Sequence, residues 1–83
     1  MQPSIPESLA IIAGKGVYPL LLAEAARQRG VRRIIAIAFR GETDPAVRKL
    51  TDETHWIHLG QLGRMLEAIA ACGAKQAVMA GQI

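Results

Sequence analysis

Four short stretches of this chain carry residue types suited to holding phosphates or sugars: Gly14-Lys15-Gly16, Arg40-Gly41-Glu42-Thr43-Asp44-Pro45, Gly60-Gln61 and Gly81-Gln82. Two glycines flanking one residue let a backbone approach an anion closely, because no Cβ intervenes. Where such a turn opens a helix, unpaired N–H groups and the positive end of the helix dipole favour a phosphate. Gly14 and Gly16 match the start of a Gly-x-Gly-x-x-Gly dinucleotide fingerprint, but Pro19 stands where the third glycine belongs. The same turn also serves as a tight strand-to-helix connection with no ligand, and both readings stay open. Lys15 offers a charge to a ligand or to water. The P-loop pattern fails, because no Gly-Lys-Ser/Thr occurs at the required spacing.

Arg40 comes after the second strand, near the place where a dinucleotide domain puts an acid for the ribose or an arginine for a 2′-phosphate. Glu42 reads more simply as an exposed loop charge, and Asp44 as a helix cap. His55 and His58 are three residues apart, which points them to opposite faces of a strand and away from a shared metal. No third histidine or cysteine joins them. Asp52 and Glu53 are adjacent, point apart and read as solvated turn residues. The amides of Gln61 and Gln82 could bond a ligand or cap a backbone. Ser4 and Ser8 lie away from the expected ligand edge, and Cys72 falls among alanines on a helical pattern as a small core residue. No nucleophile–base pair is visible, so the chain reads as a binding half-site and not a full catalytic set.

The elements that position these groups emerge from apolar periodicity. Residues up to Glu7, with Pro3 and Pro6, read as an extended lead-in. Leu9 to Ala13 reads as a buried strand. A helix runs from Pro19, which suits a first turn, to about Arg29, with Leu21, Leu22, Ala25 and Ala26 facing inward and Glu24, Arg27 and Gln28 facing water. Gly30 is the expected left-handed stop. Ile34 to Phe39 is a second strand. Asp44 and Pro45 open a short helix over Ala46 to Leu50. Thr54 to Leu59 is a third strand, and Gly60-Gln61 turns into a helix with Leu62, Met65, Leu66 and Ile69 as its buried stripe. Gly73 ends that helix, and Gln76 to Ala80 is the fourth strand.

This βαβαβαβ order predicts a small three-layer, Rossmann-like α/β domain: a four-stranded parallel sheet, order 3-2-1-4, with helices on both faces. Ligands of such sheets bind beyond the carboxyl ends of the strands, which gathers the four loops on one edge. With 83 residues the chain makes one small domain. Aromatics are limited to Tyr18, Phe39 and Trp56, so the core must be aliphatic, as in a parallel sheet buried on both faces. Ten Lys and Arg against seven Asp and Glu give a net charge of +3. The cations are scattered and not interleaved with aromatics, which argues against nucleic acid and fits an anionic small molecule or a membrane surface. A lone cysteine, no signal peptide and no membrane-length apolar run make the cytoplasm the expected location. The chain stops at Gly81-Gln82-Ile83, where a second ligand loop would begin, so the expectation is a fragment of a longer polypeptide.

Taken in order, Ile12-Ala13-Gly14-Lys15-Gly16-Val17-Tyr18-Pro19, Arg40-Gly41-Glu42-Thr43-Asp44-Pro45, Trp56 with Leu59-Gly60-Gln61-Leu62-Gly63, and Val78-Met79-Ala80-Gly81 resemble one enzyme family over nearly the whole chain. It is the N-terminal domain of the LpxI-type UDP-2,3-diacylglucosamine pyrophosphatases of bacterial lipid A biosynthesis. The resemblance implies hydrolysis of the diphosphate to lipid X (2,3-diacylglucosamine 1-phosphate) and UMP with a divalent metal, typically Mg2+. It implies two domains with substrate in the cleft between them. The catalytic acid then belongs to the C-terminal domain, which also holds most of the metal site, and the N-terminal domain, this chain, is inactive by itself. It carries substrate contacts onto Gly14, Lys15, Gly16, Gly81 and Gln82, and no catalytic residue onto this chain. Its implied partners are UDP-2,3-diacylglucosamine or lipid X and the C-terminal domain, with peripheral contact to the inner membrane. The readings that stay open beside it are a Rossmann-like nucleotide- or dinucleotide-binding module and a scaffold segment that pairs into a homo-oligomer.

Overall fold

A computed structural model describes residues 7–71 and 76–82. The lead-in prolines, Ser4, Cys72, the Gly73 stop and Ile83 lie outside the described residues. The order of elements is β1 (Ser8–Ala13), α1 (Tyr18–Gln28), β2 (Arg33–Phe39), α2 (Val47–Leu50), β3 (Glu53–Ile57), a 3₁₀ turn (Leu59–Gln61), α3 (Leu62–Ala71) and β4 (Ala77–Ala80). The strands form one parallel sheet in the order β3-β2-β1-β4, as the sequence predicts.

Alternate residues of the two central strands feed opposite faces, which is why both read as unbroken apolar runs. Leu9, Ile11, Ala13, Ile34, Ala36 and Ala38 pack with Ala23 and Ala26 of α1 and Val47 of α2 on one face. Ala10, Ile12, Ile35, Ile37 and Phe39 pack with Ile69 of α3 on the other, where Leu62, Met65 and Leu66 complete the expected stripe while staying partly exposed. Each fully buried aliphatic side chain contributes roughly 1.5–3 kcal/mol of burial free energy before ordering costs.

The buried face of α1 differs from the sequence expectation. Pro19, Ala23 and Ala26 are its buried residues, while Leu21 and Ala25 are exposed and Leu22 is half-buried. Three consecutive leucines leave the helical phase undecided, and Pro19 decides it by packing into the loop after β4. From Pro19, steps of four and three residues reach Ala23 and Ala26. The helix ends as expected: Gly30 has φ +95°, its N–H donates to Arg27 O at 3.1 Å, and Val31 N–H donates to Ala26 O at 3.1 Å. Buried Val31 supplies the apolar contact usual at such ends.

The third strand is also shifted. It ends at Ile57, and Leu59 sits exposed in the 3₁₀ turn. The turn begins where His58 N–H donates to Gln61 Oε1 at 2.9 Å and Gln61 N–H donates to His58 O at 2.9 Å.

Candidate functional site

Strand order reverses between β1 and β4, because β1 leads to β2 on one side and β4 joins on the other. In sheets of this kind the crevice at that reversal is the usual ligand position. Here the glycine loops after β1 and β4 meet in it. Gly14 N–H donates to Ala80 O at 2.8 Å, continuing the ladder. Lys15 N–H then donates to Gln82 O at 2.6 Å and Gln82 N–H returns to Lys15 O at 3.0 Å, an antiparallel bridge between two otherwise parallel segments.

Both glycines are required by this clasp. A Cβ on Gly14 would stand 2.5 Å from Gln82 O, and one on Gly81 would stand 2.6 Å from Lys15 O and 3.2 Å from Pro19 Cγ. Gly81 also has φ +89°, a left-handed conformation costly for other residues. Pro19, in the place of a third fingerprint glycine, therefore fills the corner against Gly81 and sets the phase of α1.

The clasp decides which donors remain. The amides of Gly14, Lys15 and Gln82 are used within the protein. Among the described residues no hydrogen bond uses the N–H of Gly16, Val17 or Tyr18, at the opening of the 11-residue helix α1. Those three amides are what the turn offers an anion. Gly16, the first of them, also lines an open depression of about 580 Å³ with Arg40–Pro45 and half-buried Trp56, at the carboxyl ends of the first three strands. Arg40 is its exposed cation, and Glu42 and Asp44 stand in the same lining.

The loop carrying Arg40 is held from inside. Thr43, the buried polar residue among those described, accepts from Phe39 N–H at 2.8 Å through Oγ1 and donates that hydroxyl to Ala13 O. The N–H groups of Glu42 and Thr43 both donate to Phe39 O at 3.0 Å, and Gly41 takes φ +82° to close the turn. Asp44 is not the N-cap of α2, which begins at Val47 with Ala46 in that position and no side-chain cap; its Oδ1 instead accepts from Ala46 N–H at 2.9 Å and closes the turn ahead of the helix. Sequence reading passes over Thr43 because a threonine in a polar turn is commonplace. Its only signal is its position between the glycine turn and Asp44.

Gly14, Lys15, Gly16, Gly81 and Gln82 thus lie together, with Arg40 beside them, while Gln61 caps its own turn. His55 lies in β3 beside Met65 and Ile69 of α3, whereas His58 comes after the strand and is exposed, so the two are not presented as opposite faces of one strand. No group of three or more His, Cys, Asp or Glu among the described residues is arranged to hold a metal ion. No helix among them is long and apolar enough to cross a membrane.

Asp52 and Glu53 differ from the solvated turn residues expected. Asp52 Oδ2 accepts from Ile34 N–H at 2.8 Å and from Arg27 Nη2 at 2.8 Å. The Ile34 amide, then the Arg27 guanidinium, hold this carboxyl below its ordinary value, outweighing the opposing effect of burial. Glu53 belongs to β3 and pairs with Arg33 at 2.7 Å. Neighbours in sequence, they engage separate partners at the amino edge of the sheet, remote in role from the glycine loops.

Fold and loop geometry together define a small Rossmann-like α/β domain whose glycine loops join at the strand-order reversal. A family model described as the LpxI N-terminal domain matches residues 8–83. The chain belongs to that family, which places it in lipid A biosynthesis. No curated protein and no solved structure matches it.

Proposed function

We propose that this chain is the substrate-binding half of a UDP-2,3-diacylglucosamine pyrophosphatase, the enzyme that releases lipid X and UMP. The observation that carries the reading is the meeting of the two glycine loops beside an arginine-bearing depression at the carboxyl edge of the sheet. The clasp removes the Lys15 and Gln82 amides from consideration as phosphate donors. Lys15 would act through its ammonium group, Gly16 through its N–H, and Gly14 and Gly81 by letting the backbones close. Gln82 would reach substrate through its side chain. Arg40 would add charge on the far side of the depression.

Hydrolysis of a diphosphate needs a water held in line and charge neutralised at the attacked phosphorus. The described residues do not fit a metal site. On this reading both the divalent ion and the catalytic acid come from the C-terminal domain, and this chain contributes position only. The protein would then work in the cytoplasm, in contact with the inner membrane that carries its lipid substrate.

The test is a titration of the chain with UDP-2,3-diacylglucosamine and magnesium, monitoring backbone amide shifts and UMP release. The expected result is a response at Gly16 to Tyr18 and at Arg40 to Glu42, with no turnover. Turnover at a rate typical of a complete enzyme would overturn the half-site reading. A parallel titration with NAD(P) addresses the nucleotide-module reading, which Arg40 at the end of β2 favours. Tight dinucleotide binding without a response to the UDP lipid would select that module instead.

A further inference from the structure

We infer that Thr43 is a positioning residue that joins the arginine-bearing loop to the glycine loop, so that the two edges of the depression act as one unit. Ala13 lies opposite Ala38 in the β1–β2 register, so Phe39 N–H and Ala13 C=O face the same gap where the two strands end. The Thr43 hydroxyl fills that gap. It accepts from Phe39 and donates to Ala13, so one side chain carries a relayed rung between the strands.

Each end of the rung leads directly into one loop of the depression. Ala13 is the residue before Gly14, whose N–H already donates to Ala80 O at the start of the clasp. Phe39 is the residue before Arg40, and Phe39 O accepts from both Glu42 and Thr43. Gly16 and Arg40 line one depression, yet they sit on different loops, and the hydroxyl is the side-chain link between the strand ends that launch those loops. Thr43 is 5% exposed, so water has little access to take over either bond. A hydroxyl suits the position because it donates and accepts through one atom. Valine has nearly the same shape and does neither.

This inference rests on the proposed role of the depression as a phosphate-and-sugar site, and the experiment separates the two. UDP is the probe, titrated into the wild-type chain, Thr43→Val, Thr43→Ser and Val47→Ala, with affinity, urea midpoint and amide shifts recorded for each. Val47 is buried in the cluster that holds Ala13, and its apolar side chain makes no hydrogen bond while its backbone bond to Asp44 O is kept in the alanine variant, so V47A controls for general destabilisation. The expected result is about a tenfold loss of UDP affinity in T43V, near-complete rescue in T43S and little change in V47A at comparable loss of stability. In the wild type, UDP should shift the Phe39 and Gly14 amides together with those of Arg40 and Gly16. Unaltered affinity in folded T43V, or an equal loss in V47A, overturns the inference. So does a wild-type response confined to Arg40–Glu42. If the wild type ignores UDP, the functional reading falls. The coupling is then judged by whether T43V without ligand shifts Gly14 and Gly16, as the relayed rung requires.

Discussion

The two ends of the sheet are fastened in different ways. At the amino edge charged side chains hold the strands: Asp52 takes the Ile34 amide and the Arg27 guanidinium, and Glu53 takes Arg33. At the carboxyl edge the fastening is almost all backbone, with the Lys15–Gln82 bridge, two glycines that admit no Cβ, and one buried hydroxyl. Side-chain fastening is adjustable and half-solvated; backbone fastening has no spare room. An edge built from backbone leaves the space above it clear, which suits the approach of a ligand. An edge built from ion pairs stabilises without that opening.

The comparison predicts a steep ranking of substitutions. Gly81→Ala and Gly14→Ala should cost most, about 2–4 kcal/mol, because the new methyl meets carbonyl oxygen and, at Gly81, the left-handed backbone adds strain. Chemical unfolding would measure this, and hydrogen exchange at Lys15 and Gln82 should quicken together. A glycine variant that kept both its stability and its slow exchange would break the distinction between the edges.

At the opposite edge, Asp52→Ala should cost about 1 kcal/mol, since Ile34 N–H loses its acceptor while solvent screens the lost ion pair. The pH dependence sharpens the point. The folded state holds this carboxyl below its ordinary value, so its contribution is full above the usual aspartate range and is lost as pH falls through the lowered folded value. Unfolding midpoints measured from neutral to acid should therefore decline for the wild type and decline less for Asp52→Asn. The smallest effect belongs to Glu53→Gln. Its exposed pair with Arg33 should be worth about 0.5 kcal/mol or less, and the difference should vanish in high salt.

Legibility in the sequence divides along the same line. Strand order, the two-sided core of β1 and β2 and the Gly30 helix end are readable, because apolar runs and glycine stops answer directly to burial and backbone angle. The meeting of the loops after β1 and β4 comes from topology. Their clasp does not, since a bridge between main-chain atoms leaves no residue code beyond the glycines that permit it. The α1 face is misread because Leu20, Leu21 and Leu22 carry no phase of their own, and the deciding contact, Pro19 against Gly81, joins distant parts of the chain. Asp52 is misread for a related reason: an acid beside another acid looks solvated until the fold sets a strand amide across from it.

The pairing pattern also predicts an order of assembly. Ser8 lies opposite Arg33 and Ile35 opposite Glu53, so the first three strands associate across modest stretches of chain. Ala10 meets Ala77 only after nearly the whole polypeptide intervenes. Closed directly from the unfolded chain, that loop costs the most entropy of the three, so β4 is expected to dock after the first three strands, and hydrogen exchange should be faster at Gly14 and Lys15, whose N–H groups donate to the β4 end, than at the β1–β2 amides.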